Sequence, residues 1–390
     1  MVYYRKDENM GKTKKRRDIE IYEDYWKFTA ALTDIYGNKF KNALSVIVNF
    51  IDANRNVLLK NTEEKSNFNS SHLYKKLQEM LVKMMDFKGE DATLSARKLI
   101  NLYVKIGFVY PFLVGYHPLV KQFLMANSRE KKKVLFSKIF YDNASLASGT
   151  TEDNSQLKHI RFFLQTLDYN KTLTNDDLTA LMVTDITQYK AGYLTREQLD
   201  EQYRYAKINN FENRKYNQIA HLISYLKNFI DLKYDKDNGR FWFVDDPTIA
   251  DKEFDTTYPR NNIKHRIYKQ ELKDEAKIIY GNTVCFFDKK PHKVLIASHI
   301  KPYKQCMKEG KENEAYDPEN GLLLSQEVDS YFDKFEISFA DDGQMLIGKK
   351  VPDAIRNDFE KQRLDLDVLT DTRKRYLAYH RKIFYERNEE

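Results

Sequence analysis

Val294-Leu295-Ile296-Ala297-Ser298-His299-Ile300-Lys301-Pro302-Tyr303, then Asp317-Pro318-Glu319-Asn320-Gly321-Leu322-Leu323-Leu324-Ser325, then Asp329-Ser330-Tyr331-Phe332-Asp333: these stretches decide the reading of the 390-residue chain. Two β-prone runs, Val284 to Phe287 and Val294 to His299, flank a turn at Asp288 to His292. The second run places His299 at a strand end, where its ring can project from the backbone. After a loop, Asn320 opens an apolar run. Asp329 and Asp333 follow four residues apart, a spacing that sets both carboxylates on one face of a helix. A histidine opposite a carboxylate-bearing helix makes a hard-metal site with a base beside it. Oxygen donors suit Mg²⁺ or Mn²⁺ better than zinc.

These residues resemble the HNH, or ββα-metal, nuclease family, in its subgroup with an Ala-Ser/Ala-His-Ile-x-Pro strand and an Asn-Gly-Leu-x-Leu…Phe-Asp helix. The resemblance spans roughly Thr283 to Lys350. It implies that His299 is the general base taking a proton from the attacking water, and that Asn320 orients the loop and the His299 ring. It implies Asp329 as the principal metal ligand and Asp333 as a second or supporting one, with one Mg²⁺ or Mn²⁺ per site acting on the scissile phosphate. Many members carry Asp, Glu or His just before the catalytic histidine. Here Ser298 stands there, a weaker ligand than a carboxylate or imidazole. Cys285 falls where members often carry a buried cysteine near the first strand; without a second thiol at zinc spacing it reads as core packing, and Cys306 as a loop residue.

Working outward, the 390 residues predict two or three domains at roughly 100–200 residues each. Hydrophobic residues make up 42%, enough for ordinary cores, and the 13 Gly and 8 Pro leave little room for long disordered linkers. The N-terminus is polar, without the apolar run of a secretory signal, and no apolar stretch is long enough to span a membrane, so the expected location is the cytoplasm. Cys285 and Cys306 are the only cysteines. That argues against a disulfide framework and against a structural zinc site. The net charge of +7 is concentrated in the first 17 residues, where Arg5, Lys6, Lys12, Lys14, Lys15, Arg16 and Arg17 face only Asp7 and Glu8. Such an arm suits phosphate contact through counterion release, or serves as a solubilising tail.

The chain is expected to be α+β: a helical N-terminal part with winged-helix modules, followed by the C-terminal nuclease module. The expected units are the basic arm 1–18, a helical recognition domain 19–145, a second winged-helix-like domain 155–246 and a nuclease domain 263–390. In the first unit, Tyr25 to Leu32 has helix-compatible spacing, Ala43 to Ile51 and Ser71 to Met85 read as helices, and Asp91 or Ser95 caps a helix that leads through Gly107 to a β-rich pair. Small polar residues between Asn143 and Asn154 mark a boundary. In the second unit, helices at His159 to Leu167, from Leu173, and at Asn213 to Ile230 precede Phe229 to Tyr234 and Arg240 to Val244, two runs joined through Asn238-Gly239 as a hairpin. Helix, helix, helix, hairpin is the order of a winged helix; a helical scaffold whose hairpin covers its own core is the alternative. Asp245 to Asn262, with Pro247 and Pro259, reads as a linker, and Ile263 to Tyr280 as a charged amphipathic helix.

Lys236 and Arg240 on the hairpin, Lys301 beside the histidine, and Arg373, Arg375 and Arg381 on a closing basic helix are the candidate DNA contacts. That last helix alternatively turns Leu377 and Phe384 inward and solvates its charges. Two reading modules ahead of one cutting module resemble a type II restriction endonuclease. Double-stranded DNA would then be the substrate, a cognate methyltransferase a functional partner, and a homodimer one route to double-strand cleavage, with no membrane partner. A non-specific nuclease of anti-phage defence or a mobile element, and a DNA-binding regulator with an inactive HNH remnant, are the competing readings.

Overall fold

The computed structural model describes residues 25–60, 72–246 and 260–388. The basic arm and the proline-containing part of the 245–262 linker lie outside the described residues. The chain after the arm opens as an extended strap. Trp26, Phe28 and Ala30 are buried while Lys27 and Thr29 face solvent, the period of two that belongs to extended chain. Helix-compatible spacing therefore misleads at Tyr25 to Leu32, because the alternation is the stronger pattern. The strap's amides find partners far along the chain: Trp26 N donates to Met182 O at 2.8 Å, Phe28 N to Gln218 Oε1 at 3.0 Å and Ala30 N to His221 Nδ1 at 3.3 Å.

Helices α1 (Asn38–Lys60), α2 (His72–Met85), α3 (Ala92–Lys105), α4 (Val120–Met125) and α5 (Arg129–Asn143) follow. Gly107, at φ +81°, turns the chain after α3, as its sequence position predicts. The β-rich pair expected next is a single bridge, Val109 to Tyr116, so the described residues of this unit carry no wing. Phe108 and Phe112 explain the difference: both are buried in the helical core rather than alternating along a strand.

The next stretch runs α6 (His159–Asn170), β1 (Thr172–Thr174), α7 (Asn175–Met182), α8 (Arg196–Ile208), α9 (Phe211–Leu226), β2 (Leu232–Asp235) and β3 (Arg240–Phe243). Thr174 and Asp177 form a reciprocal capping box at the start of α7, and Thr195 and Gln198 another at α8. The expected hairpin is present, with Leu232 opposite Phe243 and Asp235 opposite Arg240, and β1 pairs with the far side of β3 to give the antiparallel order β1-β3-β2. One hydrophobic core runs from Trp26 to Ile267 without dividing at the break read between Asn143 and Asn154.

A second core begins with Tyr268 and ends with Leu377. The two meet on α10 (Asn262–Tyr280), capped by Asn261 and closed by Gly281 at φ +72°. Ile263 and Ile267 enter the first core; Tyr268, Leu272 and Ala276 enter the second. Lys138 pairs with Glu271 at 2.6 Å and Lys269 with Asp246 at 2.9 Å, fixing the helix against the N-terminal body. Beyond it lie β4 (Leu295–His299), α11 (Tyr303–Lys308), α12 (Glu312–Ala315), β5 (Gly321–Ser325), α13 (Gln326–Phe332), the β6 (Ile337–Phe339) and β7 (Met345–Ile347) hairpin, α14 (Asp353–Phe359) and α15 (Asp371–Asn388). No described helix is long and apolar enough to cross a membrane.

α15 buries Arg373, Leu377, His380 and Phe384, one face at helical spacing. The His380 ring lies 4.0 Å from Phe332, nearly parallel, with Nδ1 on Ser338 Oγ at 2.9 Å and Nε2 on Phe332 O at 3.1 Å. Burial pushes its pKa down to about 3. The folded state therefore holds this ring neutral where the unfolded chain, at about 6.5, takes up a proton. The resulting stabilisation is complete above about pH 6.5 and is lost as pH falls toward 3. Thermal unfolding followed from neutral pH to pH 4 should show a falling Tm, with a shallower fall in His380→Phe; an unchanged slope in that variant contradicts the assignment.

Candidate active site of the C-terminal domain

β4 and β5 pair antiparallel, with Leu295 opposite Ser325 and His299 opposite Gly321. This register brings His299 beside Asn320, although 20 residues separate them in sequence. Ile300 N donates to Asn320 O at 3.1 Å. Gly321 is required by close approach: a Cβ there would overlap the Tyr268 hydroxyl. That hydroxyl lies 3.3 Å from Ser298 O and 3.2 Å from Asn320 O, joining both strands to α10.

The connection between the strands is held by Asn320, whose side chain is fully buried. Its Oδ1 accepts from Lys301 N at 2.7 Å, and its Nδ2 donates to Lys301 O and Glu314 O, each at 3.0 Å. Lys301 is itself buried, with Nζ 2.7 Å from Glu309 and 2.6 Å from Glu314. Hydrogen bonds from Lys301, Gln305 and Lys311 pull the Glu309 pKa down to about 2. Lys301 therefore closes the loop internally, and the expectation that it meets DNA gives way to a structural role.

The His299 ring is 9% exposed, with Nε2 2.9 Å from Ala315 O. A carbonyl can only accept, so Nε2 carries the proton and a neutral ring keeps its lone pair on Nδ1. One face stacks on Tyr268, at 4.9 Å and 15° between planes, and Tyr303 meets the ring edge-on at 6.0 Å. His265 lies nearly parallel at 6.2 Å. Burial, reinforced by Arg260 and His299 itself, pushes the His265 pKa well below its usual value. Tyr268 and His265 were not singled out from sequence; their spacing of three on one apolar helix face is the signal that could have found them.

α13 starts at Ser325, whose hydroxyl accepts from Val328 N at 3.4 Å, and it packs on both β4 and β5. Asp329 is 8% exposed, whereas Asp333, the C-cap, is exposed; Asp333 N donates to Asp329 O at 2.8 Å. Ser298 is buried, and its hydroxyl has no hydrogen-bond partner. Ser298 in β4 and the Asp329 and Asp333 carboxylates of the helix packed on that strand offer oxygen donors only. Such donors fit a hard divalent cation and are a poor match for a thiophilic one.

The basic residues separate into two groups. Arg373 is fully buried, bonded to both Glu275 carboxylate oxygens at 2.7 and 2.9 Å and to the carbonyls of Val368 and Pro318. Burial opposes its charge, but Glu275 outweighs that and keeps the guanidinium ionised. Arg373 is therefore an internal clamp and not the DNA contact expected of it. Arg381 reaches Phe339 O at 2.9 Å and Asp341 at 2.8 Å. Arg375, Lys236 and Arg240 are exposed.

Residues 281–340 match the family model described as HNH endonuclease, a span that contains β4, β5, α13 and β6. No curated protein matches the chain. Residues 281–340 thus form an HNH endonuclease domain, which supports a nuclease acting on DNA. Glu275→Ala would leave Arg373 buried without its counter-charge and should destabilise the protein by about 3–5 kcal/mol. Denaturant unfolding measures this; a loss below about 1 kcal/mol, the scale of an exposed pair, would show that the clamp is solvated.

Proposed function

We propose that this chain is a site-specific double-stranded DNA endonuclease of the restriction type, with His299 as its general base. The observation that carries the reading is the His299–Ala315 contact, because it fixes the ring and leaves Nδ1 as the basic nitrogen. In this reading Nδ1 takes a proton from the water that attacks phosphorus. The Tyr268 ring face beneath stabilises the imidazolium that forms, and Asn320 holds the loop that supplies the Ala315 carbonyl. The proton and the phosphorus–oxygen bond balance: water adds to phosphorus, its proton moves to His299, and the 3′ oxygen leaves. Asp329, with Asp333 and Ser298, would hold Mg²⁺ or Mn²⁺. Such an ion, when bound, neutralises charge on the scissile phosphate and the leaving oxygen.

Sequence reading is assigned to the 155–246 unit. Its order of helix, strand, helices and hairpin, with β1 pairing beside β3, supports a winged-helix reading, and its hairpin carries exposed Lys236, Arg240 and Trp242. Aromatic and basic side chains on one hairpin suit contact with the groove and the phosphate backbone. One such site cuts one strand, so double-strand cleavage calls for a homodimer or two successive nicks, and self-protection calls for a methyltransferase of the same specificity.

The test is incubation of the purified chain with an unmethylated plasmid of known sequence, with Mg²⁺ or with EDTA, followed by mapping of the ends. Discrete Mg²⁺-dependent fragments that share a sequence are expected. A metal-dependent smear would remove the restriction role while keeping the nuclease, and intact plasmid under every divalent metal would overturn the proposal.

A further inference from the structure

The turn that leads into β4 gathers three residues that no step above uses. Cys285, Asp288 and His292 place one ligand atom each so that all three lie within 4.8 Å of one another. The turn is closed by its own backbone: Cys285 N donates to Lys290 O at 3.1 Å, and Lys289 N to Cys285 O at 2.9 Å. Asp288 Oδ1 accepts from Lys290 N at 2.9 Å, while Oδ2 sits 2.7 Å from His292 Nε2. Cys285 is fully buried beneath this pair, and His292 is exposed above it.

An aspartate–histidine contact accounts for two of these groups, but not for a buried thiol held within 4.8 Å of both. Thiolate, imidazole and carboxylate together form a borderline-soft set, which selects Zn²⁺ over Mg²⁺ or Ca²⁺. A tetrahedral zinc with ligand bonds of about 2.0–2.3 Å needs donor atoms roughly 3.3–3.8 Å apart. His292 lies at the solvent side of the turn, where rotation of its side chain closes that gap.

We propose that Cys285, Asp288 and His292 form a zinc site, with water in the fourth position, that clips the turn ahead of β4. On binding, the Cys285 thiol releases its proton to solvent, and the His292 proton that Nε2 donates to Asp288 passes through solvent to Nδ1, so that the Nε2 lone pair meets the metal. The clip acts on the hairpin directly, because Phe286 N donates to Leu323 O of β5 at 2.8 Å and β4 begins three residues after His292. Its thiolate, imidazole and carboxylate donors differ from the oxygens of Ser298, Asp329 and Asp333.

The test uses the full-length chain, purified without chelator and dialysed against metal-free buffer, with bound metal measured by mass spectrometry. A single zinc per chain is expected, lost in Cys285→Ser and in His292→Ala and retained in His299→Ala, with a lower Tm in the first two variants. Cobalt substitution should add a thiolate-to-metal charge-transfer band that Cys285→Ser lacks. His292 is exposed, so His292→Ala keeps the test valid if the cysteine variant does not fold. Absence of stoichiometric zinc, or zinc retained in both ligand variants as an adventitious ion only, overturns the proposal. Neither outcome depends on whether the chain cuts DNA.

Discussion

Everything in the catalytic half depends on α10 being buried on two sides. A helix exposed on one face can shift along its partner at little cost, whereas one held between two cores moves only if both repack. Ile263 and Ile267 lock α10 into the N-terminal body, and Tyr268, Leu272 and Ala276 carry the β4–β5 hairpin. Tyr268 is where this matters chemically. Its ring is the floor under His299, and its hydroxyl binds the carbonyls of Ser298 and Asn320. The position of the histidine is thus set by a residue anchored on the body that is proposed to read DNA.

Charge inside the domain serves the same end. Arg373 on Glu275 ties α15 to α10, and Lys301 between Glu309 and Glu314 ties the long inter-strand loop to itself. Buried ion pairs of this kind are weak stabilisers relative to apolar packing, but costly to break singly. They fix geometry where the 20 residues between His299 and Asn320 would otherwise leave the Ala315 carbonyl free to wander from the ring. The loop is ordered by polar contacts because it contributes little to the apolar core: Tyr303, Cys306 and Ala315 form only a small satellite cluster.

Much of this was legible in the sequence because it is local. The strand end at His299, the asparagine opening β5, the capping box at Thr174 and the Asn238-Gly239 hairpin are each written within a few residues. Asp329 lies on α13 and Asp333 caps its C-terminus, close to what their spacing says, yet burial divides them, which spacing cannot show. What escaped was non-local or a matter of competing periods. Tyr25 to Leu32 contains both a helical and an alternating pattern, and the alternation won because partners near Met182 and Gln218 satisfy an extended backbone. Arg373 and Lys301 read as surface cations because their counter-charges, Glu275 and Glu314, lie far away or across a loop. Tyr268 and His265 read as ordinary helix-face residues until the hairpin register set His299 against them.

The central claim is that His299, held by Ala315 and floored by Tyr268, supplies the base for phosphodiester hydrolysis. Single-turnover cleavage by His299→Ala, measured beside its equilibrium affinity for the same DNA, tests it most directly. A loss of rate of at least about 100-fold with affinity unchanged is the expected result, because a general base acts only in the chemical step. Cleavage at the wild-type rate by that variant would contradict the account.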